Sequence, residues 1–294
     1  MDLKTLSYFI VVAEELNITR AAKILMMSQP PLSNQIKNLE EELGTPLFIR
    51  GKRHLTLTEA GKYLYNKSKD IIGLMDKTKS EIHNMTSGLR GTISIGLVEG
   101  MVPDIAATWI AESMEKYPNI HFRVIDGNSD ELIQKMRSGL ISLAVISAPY
   151  DEVLLNAIKV GEEKLCVFVN KEHPLASIEG NLLSLNDIKD TPLIVPSRKA
   201  HVDRIKRTFR KIHTEPNIVC EMDNYLDAAA LAGRTNGASL FPKTGYVLNS
   251  QIICKELDDQ DSSVEYYFVW RKGHKLPVIE ENLVDYIKEK YQKK

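Results

Sequence analysis

The sequence predicts a multidomain chain with three parts: an N-terminal winged helix-turn-helix, a long linker helix, and an α/β domain of two Rossmann-like lobes. Three observations carry this. A Ser-Gln-Pro-Pro helix start lies between two short apolar-periodic segments near the N-terminus. An apolar repeat with alternating steps of four and three runs from Leu64 to Met85. From Thr92 onward, strand and helix signals alternate. The expected boundaries are 1–58 for the winged domain, 59–88 for the linker helix and 89–294 for the α/β domain. Within that domain, lobe I covers about 92–161 plus 266–294 and lobe II about 162–265.

Leu3, Leu6, Phe9, Ile10, Ala13 and Leu16 form the apolar face of a first helix. In the next, Thr19 to Leu25, the residues Ala21, Ala22, Ile24 and Leu25 share a face. Ser28 is the N-cap of a third helix, with prolines tolerated in its first turn, and Ile36, Leu39 and Leu43 continue its apolar stripe. The opposite side carries Gln29, Ser33, Asn34 and Lys37, donors and acceptors suited to base edges and phosphates in a major groove. Two strand-like runs, Leu47 to Arg50 and His54 to Leu57, then flank Gly51-Lys52-Arg53. That makes a hairpin whose basic tip can reach a phosphate backbone. The expected DNA-contacting set is Thr19, Arg20, Ser28, Gln29, Pro30, Ser33, Asn34, Lys37, Arg50, Lys52 and Arg53.

Thr58 caps the linker helix. Leu64, Ser68, Ile71, Met75, Thr78, Ile82 and Met85 recur with a period of 3.5, as in a coiled-coil seam, so Leu64, Ile71, Met75 and Ile82 are expected to pair two copies of the chain. At 1.5 Å per residue the helix is about 40 Å long, more than one small domain can cover.

In the C-terminal part, strands are expected at Thr92–Leu97, Ile120–Ile125, Leu143–Ile146, Leu165–Val169, Leu193–Val195, Asn217–Glu221, Ala238–Pro242 and Val264–Trp270. Helices are expected at Val102–Tyr117, Ser129–Ser138, Val202–Ile212, Tyr225–Ala232 and Ile279–Tyr291. Repeated βα units favour a doubly wound, mostly parallel sheet. Ligands of such sheets sit at the carboxyl ends of the strands, beside helix N-termini. The candidate contacts for a small ligand are Glu99, Gly100, Met101, Asn128, Ser129, Ser147, Tyr150, Ser197, Arg198 and His201. Arg198 and Lys199 favour an anion there.

Bulk properties restrict the function class. With 43% hydrophobic and 26% charged residues, the composition is that of a globular protein; the net charge of −1 leaves any nucleic-acid affinity to local placement. Cys166, Cys220 and Cys254 are widely separated without metal-ligand spacing and read as buried, reduced thiols. No signal-peptide pattern and no apolar run of about 20 residues is present, so a cytoplasmic protein without membrane contact is expected. The seven histidines are scattered and no nucleophile-elbow, dinucleotide or phosphate-loop pattern occurs. No catalytic residue, metal or cofactor is expected.

The segment from Phe9 to Gly61 resembles the DNA-binding domain of LysR-type transcriptional regulators. The matching residues are Phe9, Ala21-Ala22, Leu25, Ser28-Gln29-Pro30, Leu32-Ser33, Gln35-Ile36, Leu39-Glu40, Leu43-Gly44, Pro46-Leu47-Phe48, Arg50 and Leu57-Thr58-x-Ala60-Gly61. Asn34 departs from the basic residue common there. The C-terminal part resembles, more loosely, the periplasmic-binding-protein-like effector domain of the same family. That likeness rests on Ile93-x-Ile95-Gly96, Tyr117-Pro118, Gly127, Asp130-Glu131-Leu132, Gly139 and His173-Pro174-Leu175, with Arg234-Thr235-Asn236-Gly237 replacing a small apolar turn. The resemblance implies a homodimer paired through linker helices and joined into a tetramer. It also implies an operator with an interrupted dyad, contact with RNA polymerase, and a small-molecule effector in the inter-lobe cleft. A free-standing binding or transport component is the alternative; the helix-turn-helix and the missing export signal speak against it.

Overall fold

The computed structural model describes residues 1–51, 55–87, 91–98, 102–243, 250–259 and 262–292. The chain divides into two compact units, Met1–Ile82 and His83–Lys294.

In the first unit, α1 (Leu3–Glu15), α2 (Ile18–Ile24) and α3 (Gln29–Leu43) precede a hairpin of β1 (Phe48–Arg50) and β2 (Leu55–Leu57), and α4 (Glu59–Ser87) follows. Phe9, Val12 and Ala13 of α1, Ala21 and Ala22 of α2, and Leu32, Ile36 and Leu39 of α3 close over Leu47 and Phe48 to form one core. The Phe9 and Phe48 rings pack tilted at 58°, with centroids 5.4 Å apart. The apolar faces are narrower than the sequence pattern predicts, because Ile24 and Leu43 are exposed. Ser28 is the N-cap of α3 but its hydroxyl makes no capping bond, contrary to expectation. The reason is covalent: an N-cap oxygen accepts from the second or third helical N–H, and here those residues are Pro30 and Pro31, which have none.

Two contacts fasten the hairpin and α4 to this core. Glu40 Oε1 accepts from the amides of Leu47 (2.7 Å) and Phe48 (3.1 Å). The Thr58 hydroxyl accepts from the Gly61 amide (2.9 Å), as a helix cap does, and donates to the Pro46 carbonyl (2.8 Å). Ala60, Leu64 and Tyr65 pack against the core, so the first turns of α4 belong with the winged domain. Leu64 therefore faces inward, not along an open seam. Farther along α4, among the described side chains, the exposed apolar residues are Ile71, Leu74 and Ile82.

The second unit contains β3 (Gly91–Val98), α5 (Val102–Lys116), β4 (Ile120–Gly127), α6 (Ser129–Arg137), β5 (Leu143–Ser147), β6 (Leu155–Asn170), β7 (Leu182–Leu183), α7 (Leu185–Ile188), β8 (Leu193–Pro196), α8 (Lys199–Arg210), β9 (Ile218–Met222), α9 (Tyr225–Ala232), β10 (Ala238–Pro242), β11 (Ile252–Leu257), β12 (Ser263–Arg271) and α10 (Val278–Tyr291). The sheet order is β4-β3-β5-β12-β6-β10-β8-β9, with β11 also on β6. It is mixed rather than mostly parallel: β3, β4 and β5 run parallel, as do β8, β9 and β10, while β6 and β12 are antiparallel to their neighbours. Strand β6 joins the two halves. Its first part, Leu155 to Lys164, pairs with β12, and its second part pairs with β10 and β11. That first part has buried Ile158 and Val160 alternating with polar residues, and its Glu162-Glu163-Lys164 run hides a strand from a search for apolar stretches.

Candidate functional site

On the first unit, the candidate surface is built around α3. Burying Leu32, Ile36 and Leu39 turns the other side of the helix outward, and Gln29, Pro30, Asn34 and Lys37 are exposed with Ser33 half-buried. Ser28, released from capping by the two prolines, lies exposed at the same end. Thr19 and Arg20 are exposed on α2, whose N-cap Asn17 accepts from the Arg20 amide at 3.0 Å. The Arg20 guanidinium bonds the Glu15 carbonyl (2.8 Å) and lies 3.3 Å from its carboxylate, and Lys37 lies 3.3 Å from Glu41. Both cations are solvent-exposed, so exchanging the carboxylate for a phosphate costs little. Arg50 ends β1 opposite Leu55. Lys52 and Arg53 lie outside the described residues. Sequence reasoning passed over Met26, which is 95% exposed at the left-handed turn (φ 51°) between α2 and α3. In the run Leu25-Met26-Met27 nothing distinguishes it from a core residue.

The second unit holds a small cavity of about 60 Å³. Of the predicted contacts, Asn128, Ser129, Ser147, Arg198 and His201 line it. Glu99, Gly100 and Met101 lie outside the described residues. Two of the expected contacts lie outside this lining. Tyr150 does not line the cavity; its ring packs on Tyr267 at 4.9 Å because the turn after β5 carries it onto β12. Ser197 is also absent from the lining, its hydroxyl donating to Asp223 instead.

Arg198 lines the cavity but is committed to protein acceptors. Nη1 donates to the Ser147 carbonyl (2.9 Å) and hydroxyl (3.1 Å), Nη2 to the Pro149 carbonyl (2.7 Å), and Nη2 and Nε to Asp130 Oδ1 at 3.0 and 3.2 Å. One side chain from the start of α8 thereby ties the end of β5 and the first turn of α6 to the other lobe. The Ser147 hydroxyl also meets Ser129 Oγ (3.0 Å) and His201 Nε2 (3.1 Å), and its amide donates to Ser129 Oγ (2.9 Å). Burial, reinforced by the Arg198 and Arg204 charges, lowers the His201 pKa to about 4, so the ring is neutral at pH 7. Asn128 caps α6 through the Glu131 amide (3.0 Å).

The residues that sequence reasoning missed are Arg204, Asp223, Tyr266 and an apolar wall that includes Leu165, Ile205, Phe241 and Val264. Among the described residues, Arg204 has one recorded hydrogen bond, to the Ser263 carbonyl, which leaves guanidinium donors for an anion. The period of α8 was the available signal, since Arg204 is one turn from His201. Among the described residues, no group of three metal-binding side chains occurs, and no helix is long and apolar enough to cross a membrane.

Comparison with known proteins extends these observations. The model of the LysR substrate binding domain matches residues 86–292, and that of bacterial regulatory helix-turn-helix proteins of the lysR family matches residues 3–62. The HTH-type transcriptional regulator BsdA of Bacillus subtilis (strain 168) is 30% identical over 252 residues, 83% of this chain and 84% of that protein. AlsR, an HTH-type transcriptional regulator of the same organism, is 29% identical over 285 residues, 95% and 93% of the two chains. Among solved structures, full-length BenM is 26% identical with a TM-score of 0.59, covering 100% of this chain and 97% of that one. CbnR, a LysR family transcriptional regulator, shares the fold with a TM-score of 0.79 at 21% identity over 99% of both chains.

Proposed function

The chain belongs to the LysR family of bacterial transcriptional regulators, and from that premise we propose that α3 reads operator DNA while a small anion in the second unit's cavity modulates the outcome. The observation that carries the DNA reading is the start of α3. Two prolines leave the Ser28 hydroxyl without a helix duty, beside the exposed Gln29 amide. Gln29 reads a base edge, and Ser33, Asn34, Lys37, Thr19 and Arg20 add base or phosphate contacts. Arg50, Lys52 and Arg53 serve the phosphate backbone. The direct test is fluorescence anisotropy on fragments from the region upstream of this chain's own gene. Binding is expected at low salt, and Gln29→Ala is expected to lower affinity for the preferred site about tenfold while leaving random DNA unchanged, in line with about 1–3 kcal/mol for a bidentate base contact. Equal losses on both DNAs would remove Gln29 from base reading.

In this reading the protein is a cytoplasmic homodimer that reads an interrupted dyad, two dimers joining as a tetramer that contacts RNA polymerase. No catalytic step or membrane is involved. Support for pairing comes from Ile71, Leu74 and Ile82, which keep an apolar stripe exposed along α4, with Met75 beside it half-buried. The double substitution Ile71→Asp and Ile82→Asp is expected to halve the mass seen by light scattering and to abolish operator binding at concentrations that saturate the parent. An unchanged mass would refute pairing through α4.

The effector we infer is a small carboxylate with an apolar body. Arg204 supplies the charge, neutral His201 and the serine pair supply polar contacts, and Phe241, Leu165 and Val264 cover the rest. Arg198, expected from sequence to meet the anion, instead holds the lobes.

A further inference from the structure

Tyr266 is a buried polar group of the cavity that the protein itself leaves unused. It lines the cavity, is 2% exposed, and packs its ring in the core with Val264 and Phe268. Among the described residues, no hydrogen bond to its hydroxyl is recorded. Strand pairing puts it there. On β12, Tyr266 stands opposite Ser147 of β5 and Gly161 of β6. Directly opposed residues share a face, so the ring is flanked by a hydroxymethyl group and a hydrogen, and the space that larger side chains would fill stays open. Two residues along the same face is Val264, also in the lining, and the Arg204 guanidinium bonds the carbonyl beside it, that of Ser263. Burial, and then the Glu163 charge, hold the Tyr266 phenol above its ordinary range against Arg204, so it is a donor at neutral pH. The rest of the described lining carries little spare charge. Arg198 is spent on Asp130 and on the Ser147 and Pro149 carbonyls, and the Ser147 hydroxyl on Ser129 and His201. Asp223 is exposed, with one oxygen taken by the Ser197 hydroxyl.

We propose that Arg204 and Tyr266 form a single carboxylate seat, and that the effector is a short aliphatic monocarboxylate. This rests on the cavity being the effector site. The guanidinium and the phenol each donate to a carboxylate oxygen, and both bonds are strengthened by the ligand's charge. A second carboxylate finds no open cation among the described lining residues and meets Asp223, a like charge. Leu165, Phe241 and Val264 cover the aliphatic chain. Size sets the other limit. At about 10–15 Å³ per water, the 60 Å³ cavity holds about four to six waters, and so a ligand of about as many non-hydrogen atoms.

Calorimetric titration of the full-length chain at pH 7 uses propionate, butyrate, propionamide, oxalate and benzoate. Propionate and butyrate are expected to bind. Propionamide has the shape without the charge, and oxalate is no larger than butyrate but carries a second charge. Each should bind at least about tenfold more weakly, as should the oversized benzoate. Tyr266→Phe keeps the ring and removes the donor. It should weaken propionate by about tenfold or more, as loss of a hydrogen bond to a charged group does, yet melt no lower than the parent, because the hydroxyl has no protein partner. Arg204→Gln should abolish propionate binding. Asp223→Asn should tighten oxalate by about tenfold, a gain that misfolding cannot produce. Oxalate or benzoate binding as tightly as propionate would overturn the proposal while leaving the cavity as the effector site. So would an unchanged propionate affinity in Tyr266→Phe alone. Propionate affinity unchanged in both Tyr266→Phe and Arg204→Gln would place the ligand elsewhere, and silence from every acid would leave it without a ligand of this class. Either result overturns the cavity reading as well.

Discussion

Replacing Gly61 with alanine is expected to unfold the first unit while leaving the second intact. A Cβ at this position would lie 2.1 Å from the Leu47 carbonyl oxygen and 3.0 Å from Leu57 Cδ2. The obstruction is backbone, not a side chain that can rotate away. That carbonyl also accepts from the Thr58 amide at 3.0 Å, and Thr58 both caps α4 and bonds Pro46. Moving α4 away from β1 therefore breaks the cap and the hairpin anchor together, and opens the core around Leu47 and Phe48. Overpacking alone costs about 1–3 kcal/mol, and the lost cap adds about 1 kcal/mol, a large share of a small domain's stability. The measurement is simple because both tryptophans, Trp109 and Trp270, lie in the second unit. Tryptophan fluorescence should melt as in the parent, far-UV circular dichroism should show an early loss of helix, and DNA binding should fall at least about a hundredfold. Superimposable dichroism melts for variant and parent would contradict the packing argument.

Arg198→Met is expected to have the second large effect, by untying the two lobes of the second unit. The Arg198 side chain is 6% exposed, while its partner Asp130 is 66% exposed. The two sides of this ion pair are thus unequal. Removing the arginine takes a donor from the buried Ser147 carbonyl, the buried Ser147 hydroxyl and the part-buried Pro149 carbonyl, at a cost of about 2–4 kcal/mol. For a domain of this size that lowers the melting temperature by about 5–15 °C. Asp130→Asn should cost under about 1 kcal/mol, because its carboxylate is already in water. Tryptophan fluorescence reads both variants. Equal shifts for the two would mean that the ion pair, not the buried carbonyl contacts, joins the lobes.

Helix α3 was legible in the sequence because its evidence is local. Apolar spacing and prolines in the first turn act within a few residues, and α3 folds as they dictate. The Ser28 capping bond was misjudged although its disproof, Pro30-Pro31, stood in the same motif. The α4 repeat was also visible, but not that its first turns serve the winged core. Leu64 is claimed by that core, and Leu74, outside the repeat, joins the open stripe.

The cavity was only half legible. A search at strand ends finds Ser129, Ser147, Arg198 and His201 because βα geometry fixes where such ends lie. It cannot tell that five donors on Arg198 are consumed across the cleft, nor that Tyr150 turns toward Tyr267. The cysteines are the limiting case. They read as buried thiols, yet Cys254 is exposed and stands diagonally across the β6–β11 pairing from the buried Cys166.

By itself, the sequence determined the helix-turn-helix, the period of the linker helix and the α/β class, since each follows from interactions within a segment. Tertiary structure alone decided which arginine remains open to a ligand, which residues of α4 stay exposed, and that two distant thiols become neighbours. Those outcomes depend on strand pairing and register, and in an antiparallel pairing such as β6 with β11 a shift of one residue would send Cys254 to the opposite face.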